Sequence, residues 1–194
     1  MVALHNLPSL CILVLQVFDH GPHGCHRFLR VYLDGSEVTA LRIPKECFAS
    51  VRVVPHTVVL GQVRSLSVVV LKAEKAVALG MIPVGHPSLC VDGLQRPGLQ
   101  GILSRGCCWS THTKSRGMAR FYNGGKGRRS HCGFASGDVI TAEVDRRYGN
   151  GVVRFYRNGD AVEAEPLPIA FSEEAVFVVT FGFEGASARI VGFS

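Results

Sequence analysis

Phe121-Tyr122-Asn123-Gly124-Gly125-Lys126-Gly127 carries two adjacent glycines behind a pair of aromatic residues. Two glycines in succession suit a turn between strands, because glycine reaches the positive φ angles that tight turns demand. The competing reading of Gly125-Lys126 is a phosphate loop. That motif requires Gly, four residues, then Gly-Lys-Ser/Thr ahead of a helix. Arg120 stands at the first glycine position, Gly127 replaces the hydroxyl residue, and no helical pattern follows. The stretch is therefore read as a turn between strands, and no nucleotide or other cofactor is expected.

Beyond this turn the chain keeps a strand period. Val139 to Asp145 alternates, with Ile140, Ala142 and Val144 on one side and Thr141, Glu143 and Asp145 on the other. In Val152 to Tyr156, Val153 and Phe155 oppose Val152, Arg154 and Tyr156, and Asn158-Gly159 supplies a tight turn. Val176 to Phe183 is apolar throughout and reads as a central strand. Ala186 to Phe193 closes the chain after the turn Glu184-Gly185. Residues 81–106, broken by Pro83, Pro87 and Pro97, read as a long irregular connection of the kind that often carries function. Ser65 to Leu71 and Ala76 to Leu79 read as central strands covered on both faces. Val51 to Val54 and Thr57 to Leu60 flank Pro55. Phe28 to Leu33 and Glu37 to Ile43 form a hairpin around Asp34-Gly35. The apolar run Leu10 to Phe18 is too short to span a bilayer and reads as a buried strand. Many short strands at turn-marked spacing predict an all-β sandwich or barrel.

The chain has 194 residues, enough for one globular domain with a short extra segment. Its net charge of +6 favours acidic partners, including anionic peptide and nucleic acid. Seven cysteines at irregular spacing argue against a closed disulfide framework. Cys11 in its apolar run, and Cys107 and Cys108 ahead of Trp109, read as small core hydrophobes in a reducing compartment, so an intracellular, cytoplasmic protein is expected. Met1 to Asn6 has no Lys or Arg, and Asp19-His20 follows the apolar run, so a secretory signal is not expected.

The ordered set of motifs resembles the SPRY (B30.2-like) family. The aromatic-Asn-Gly-Gly-Lys-Gly turn is followed by Gly133-Phe134, then Gly137-Asp138-Val139-Ile140, then Asp145. After these comes Val153-Arg154-Phe155-Tyr156-Arg157-Asn158-Gly159. Upstream, Ala76-Val77-Ala78-Leu79-Gly80 is similar to the family's Ala-Val-Gly-type strand. Downstream, Glu184-Gly185-Ala186-Ser187-Ala188-Arg189-Ile190 is similar to its last turn and strand. The resemblance covers residues 48–194 and leaves 1–47 as an N-terminal extension with a strand and a hairpin. The end Val191-Gly192-Phe193-Ser194 departs from the family's Asn-Phe-Gly-like close. The resemblance implies a bent antiparallel β-sandwich that binds a protein or peptide on its loops and has no catalytic centre. It also implies a place in ubiquitin ligases or in larger assemblies, as adaptor or scaffold.

Three clusters invite chemistry. Asp19-His20-Gly21-Pro22-His23-Gly24-Cys25-His26 is rich in metal ligands, but its spacing matches no common finger, and it is read as a loop. Cys107 and Cys108 with His112 could suggest a nucleophile and base, but their apolar neighbourhood favours packing. The basic turn 114–129 and the turn after Asp145 interleave cations with aromatic rings. The expected partner-binding residues are Arg116, Arg120, Tyr122, Lys126, Arg128, Arg129, Arg146, Arg147 and Tyr148. Arginines form bidentate pairs with carboxylates, which suits an acidic protein partner. The same pattern suits RNA in a ribonucleoprotein assembly, although RNA-binding segments usually carry a stronger charge excess. A lectin-like module is a third reading.

Overall fold

A computed structural model describes residues 17–18, 28–32, 34–41, 43, 48–73, 76–85, 106–112 and 118–194. Those residues form strands, turns and irregular segments, with no helix among them. The strands in chain order are β1 (Val17–Phe18), β2 (Leu29–Val31), β3 (Glu37–Ala40), β4 (Ala49–Val58), β5 (Val63–Lys72), β6 (Ala76–Pro83), β7 (Cys107–His112) and β8 (Met118–Asn123). They continue with β9 (Lys126–Ser130), β10 (Val139–Asp145), β11 (Val152–Arg157), β12 (Asp160–Ala161), β13 (Leu167–Pro168), β14 (Ala175–Phe181) and β15 (Ser187–Phe193). One sheet runs β1-β4-β14-β6-β7-β8-β9. The other runs β12-β11-β10-β5-β15-β3-β2, with β13 paired to β11. All the pairings are antiparallel, and the two sheets pack as a sandwich.

The period-two pattern dictates which side chains meet between the sheets, since successive residues of a strand face opposite ways. Ile140, Ala142 and Val144 of β10 are buried, as are Val153 and Phe155 of β11. They meet Trp109 and Phe121 from the other sheet. Trp109 lies 4.7 Å from Phe134, edge to face, and 6.1 Å from both Phe121 and Phe155. Strands β6 and β14 sit at the centre of the seven-stranded sheet and are buried at every position, as their continuous apolar runs predict. Strand β5 differs from the expectation of burial on both faces. Leu66, Val68 and Val70 are buried, whereas Ser65, Ser67, Val69 and Leu71 between them are only half-buried. The outer face of its sheet is partly open to water.

Pro55 does not split its segment into two strands. β4 runs through it, and the pairing with β14 jumps from Val176↔Thr57 to Val178↔Arg52. A bulge at this point lets the ladder skip a residue that has no N–H to donate. The Phe121–Gly127 stretch is the turn between strands that its two glycines predict. β8 and β9 form a tight hairpin, with Gly124 and Gly125 both at positive φ. The cluster from Asp19 to His26 lies outside the described residues, as do most of the Leu10–Phe18 run and residues 86–105 of the long connection. β1 pairs with β4 and β3 pairs with β15, so strands from the first 47 residues extend both sheets.

Asp138 organises the turn ahead of β10. Its Oδ2 accepts from the Ala135 amide at 2.7 Å and forms an ion pair with Arg157 Nε at 2.9 Å, and its Oδ1 accepts from Asn158 Nδ2 at 2.8 Å. Burial pushes this carboxyl up, but the Ala135 amide, Asn158 and Arg157 outweigh it and hold the group below its usual range. A depressed folded value means that the stabilisation is present above the unfolded value of about 3.9. It is lost as pH falls from there through the folded value. Asp145, held at about 2 chiefly by its hydrogen bonds from Arg147, loses its contribution in the same acid region. Asp138→Asn should therefore lower stability at neutral pH and flatten, without abolishing, the fall in stability below about pH 4. Urea unfolding of both proteins from pH 7 to pH 2 measures this. Parallel profiles would show that Asp138 is not a source of the acid lability.

Candidate partner-binding surface

The β8–β9 hairpin gathers four of the sequence-predicted cations at one margin of the sandwich. Asn123 and Lys126 close its two-glycine turn, and the register then sets Tyr122 opposite Gly127, Phe121 opposite Arg128, and Arg120 opposite Arg129. Directly opposed residues share a face of the sheet. Phe121 points into the core, so Arg128 lies on the inner face. Its guanidinium stacks 5.1 Å from the Phe121 ring centroid and reaches Glu163 at 3.5 Å. Arg120 and Arg129 share the outer face with Tyr122. Both arginines are exposed, and neither has an acidic partner among the described residues. Lys126 is exposed and likewise has no acidic partner there.

Tyr122 is half-buried and lies against Gly127, where any Cβ would meet its ring at 2.8 Å. Burial is the main cause that pushes its hydroxyl up, with Arg120 opposing. The ring is thus committed to the sheet, with only part of its surface open to a partner.

The turn after β10 separates three residues that the sequence grouped. Arg146 was expected to reach a partner, but it is buried at 1% exposure. Its Nε donates to the Asn150 carbonyl at 3.1 Å. Its two terminal nitrogens donate to the carbonyls of Val58, Phe171, Ser172 and Glu173 at 2.6–3.5 Å. Burying a guanidinium is tolerable only where its donors are satisfied, and here the backbone satisfies them. Arg147 is exposed but bound to its own strand. Its Nε and Nη2 donate to the two Asp145 carboxylate oxygens at 3.0 and 2.7 Å. Tyr148 is 82% exposed and free for contact. Arg116 lies outside the described residues.

Beside the hairpin, and joined to the edge of β11 through β13, runs a segment that sequence reading passed over. Glu163 to Pro168, together with Phe121, Asn123 and Arg128, line an open groove of about 580 Å³. Asn123 Nδ2 donates to the Pro168 carbonyl, while its Oδ1 is buried with no hydrogen-bond partner among the described residues. The Ile169 amide bonds to the Gly151 carbonyl, and Arg146 holds the carbonyls of 171–173. The only advance signal was Pro166-Leu167-Pro168 soon after the Asn158-Gly159 turn.

The thiols read as packing residues are buried. Burial pushes Cys107 up to about 12, and burial followed by Cys107 raises Cys108 well above the usual thiol range. Such groups stay protonated at neutral pH and out of reach of a substrate. The described residues hold no group of three or more potential metal ligands, and none of them forms a helix long and apolar enough to cross a membrane.

No family model matches the sequence, and no curated protein matches it. Solved structures do. The TRIM65 PSpry domain superposes with a TM-score of 0.61 at 17% identity, over 91% of this chain and 89% of that one. A human SPRY domain gives 0.57 at 17% identity, over 84% and 95%. The SPRY domain of human HERC1 gives 0.59 at 17% identity, over 89% and 96%. Strand content, two-sheet architecture and these superpositions agree with the motif order read along the chain: its fold is that of a SPRY domain.

Proposed function

We propose that this chain is a non-catalytic protein-interaction module that takes an acidic protein partner on its basic β8–β9 hairpin, as adaptor or scaffold within a larger assembly. One observation carries the reading. Arg120 and Arg129 face each other directly across the hairpin without an acidic neighbour among the described residues. Like charges directly opposed destabilise a sheet, and a partner's carboxylate would relieve that cost. Similarity of fold to named SPRY domains supports the reading by analogy. The buried, protonated Cys107 and Cys108 remove the one thiol pair that suggested catalysis. The free cysteines fit a reducing, intracellular setting. RNA is the weaker alternative, because Tyr122 is packed on Gly127 and Arg147 is neutralised by Asp145, which leaves few free cations beside free rings.

The test is affinity capture from native extract with wild type and with the Arg128→Glu/Arg129→Glu double variant, followed by calorimetry on the captured partner. Loss of about tenfold or more in affinity, with a reduced salt dependence, is the expected result. A variant that folds and binds as wild type does would move the contact elsewhere, to the Tyr148 turn or to segment 1–47. Recovery of RNA in place of protein would favour the alternative.

A further inference from the structure

The pairing of β9 leaves a row of backbone groups without partners among the described residues. The Gly124-Gly125 turn has both residues at positive φ, so it closes on Asn123 and Lys126 as a hydrogen-bonded pair. Antiparallel pairs alternate, which makes Phe121↔Arg128 and Ala119↔Ser130 hydrogen-bonded and leaves Tyr122↔Gly127 and Arg120↔Arg129 not so. The N–H and C=O of Gly127 and Arg129 therefore point away from β8. β9 is the last strand of its sheet, and no described strand pairs with that outer side. Exposed strand edges are templates for an added strand.

We infer that the partner enters as an extended segment, pairing with the outer edge of β9 through the backbone of Gly127 and Arg129, with acidic and apolar side chains in alternation. The inference rests on the reading of the chain as a protein-interaction module and states how that module binds. Charge sets the alternation. Side chains of the added strand on the outer face meet Arg129 and, beyond it, Arg120, both without acidic neighbours among the described residues. Carboxylates belong there. Side chains on the inner face meet the groove, where Glu163 already pairs with Arg128 and Glu165 adds a second negative charge. Lys126 also lines the groove and balances Glu165, so that face has no net charge to draw carboxylates, while Pro166 and the stem of Arg128 offer apolar surface. Asn123 Oδ1, buried and without a hydrogen-bond partner among the described residues, leaves an acceptor at the hairpin end of the groove for an incoming N–H.

The probe is a synthetic ten-residue peptide alternating Glu with Val and Leu, tested on the full chain against a peptide of identical composition with its glutamates in one block. Binding is followed by calorimetry and amide hydrogen exchange. The expected result is preference for the alternating peptide, with the Gly127 and Arg129 amides exchanging in the free chain and protected in the complex. Arg129→Ala removes only the charge, whereas Arg129→Pro also removes the outward N–H at an edge position that tolerates proline. Arg129→Pro should bind about tenfold more weakly than Arg129→Ala. If Arg129→Pro fails to fold, the exchange measurement on wild type decides alone. Equal binding of both peptides, or binding that leaves the two amides unprotected, overturns strand addition. If Arg128→Glu/Arg129→Glu still abolishes that binding, the protein-interaction reading survives. No binding of either peptide also overturns the inference, and that reading then depends on the captured partner. Protection of both amides in the free chain would show the edge occupied from within and overturn it as well.

Discussion

Arg146→Met is expected to lower the free energy of unfolding by about 3–5 kcal/mol. Methionine keeps much of the apolar stem but supplies none of the donors. The carbonyls of Val58, Asn150, Phe171, Ser172 and Glu173 all converge on this one guanidinium. A buried acceptor stripped of its donor costs about 1–3 kcal/mol, and water can reach only some of these. Burial is the main cause that nudges the guanidinium's proton affinity down, but an arginine remains charged in any protein. Urea unfolding with a shared slope measures the loss, and a change below about 1 kcal/mol would show that the contacts are dispensable. The variant should also loosen residues 169–173, which anchor the end of the groove segment. Faster amide exchange at Ile169, whose N–H bonds to Gly151, reports this separately from global stability.

Phe155→Ala is expected to cost a similar amount, about 3–5 kcal/mol, through a different mechanism. Phe155 is 4% exposed and sits 5.7 Å from Phe121 and 6.1 Å from Trp109, ring centre to ring centre. Truncation removes apolar area from the interface between sheets and leaves a cavity. Rigid strands on both sides cannot collapse into it. The neighbouring rings also lose their aromatic contacts. A loss below about 1 kcal/mol in denaturant unfolding would place the ring outside the core. A near-full loss would also perturb the β8–β9 hairpin, because Arg128 stacks on the Phe121 ring that Phe155 supports.

The alternation over Val139–Asp145 and Val152–Tyr156 was legible residue by residue, because side chains of a strand must alternate between water and core. The apolar runs around Ala76–Pro83 and Ala175–Phe181 were equally clear, since only a strand covered on both faces can be apolar throughout. Turns at Asp34-Gly35 and Asn158-Gly159 followed from local chemistry, and Gly35, Asn158 and Gly159 all have positive φ. Reading failed where local preference competed with long-range pairing. Pro55 looked like a break, yet β4 passes through it because a bulge removes the demand for its missing N–H. The basic stretch around 118–130 was legible as a turn between strands, but its charges did not show where in the sheet it lies. It is an edge hairpin, a place where sheets tolerate exposed cations.

At the candidate surface the division is sharper. Period and glycine placement determined an all-β sandwich or barrel with basic, aromatic-rich turns, since they are properties of neighbours in the chain, and the resemblance to the SPRY family implied the sandwich. They could not rank Arg146, Arg147 and Tyr148, which look alike as a turn. Only the tertiary structure decided that the first is buried, the second neutralised and the third free. The carbonyls that meet Arg146 include one 88 residues away in sequence, at Val58. Likewise, Lys126 to Arg129 read as free charges, but the open backbone beside them exists because no described strand follows β9 in its sheet. A side chain's partners across a fold are set by which strands become neighbours, and that order is not written in any local pattern.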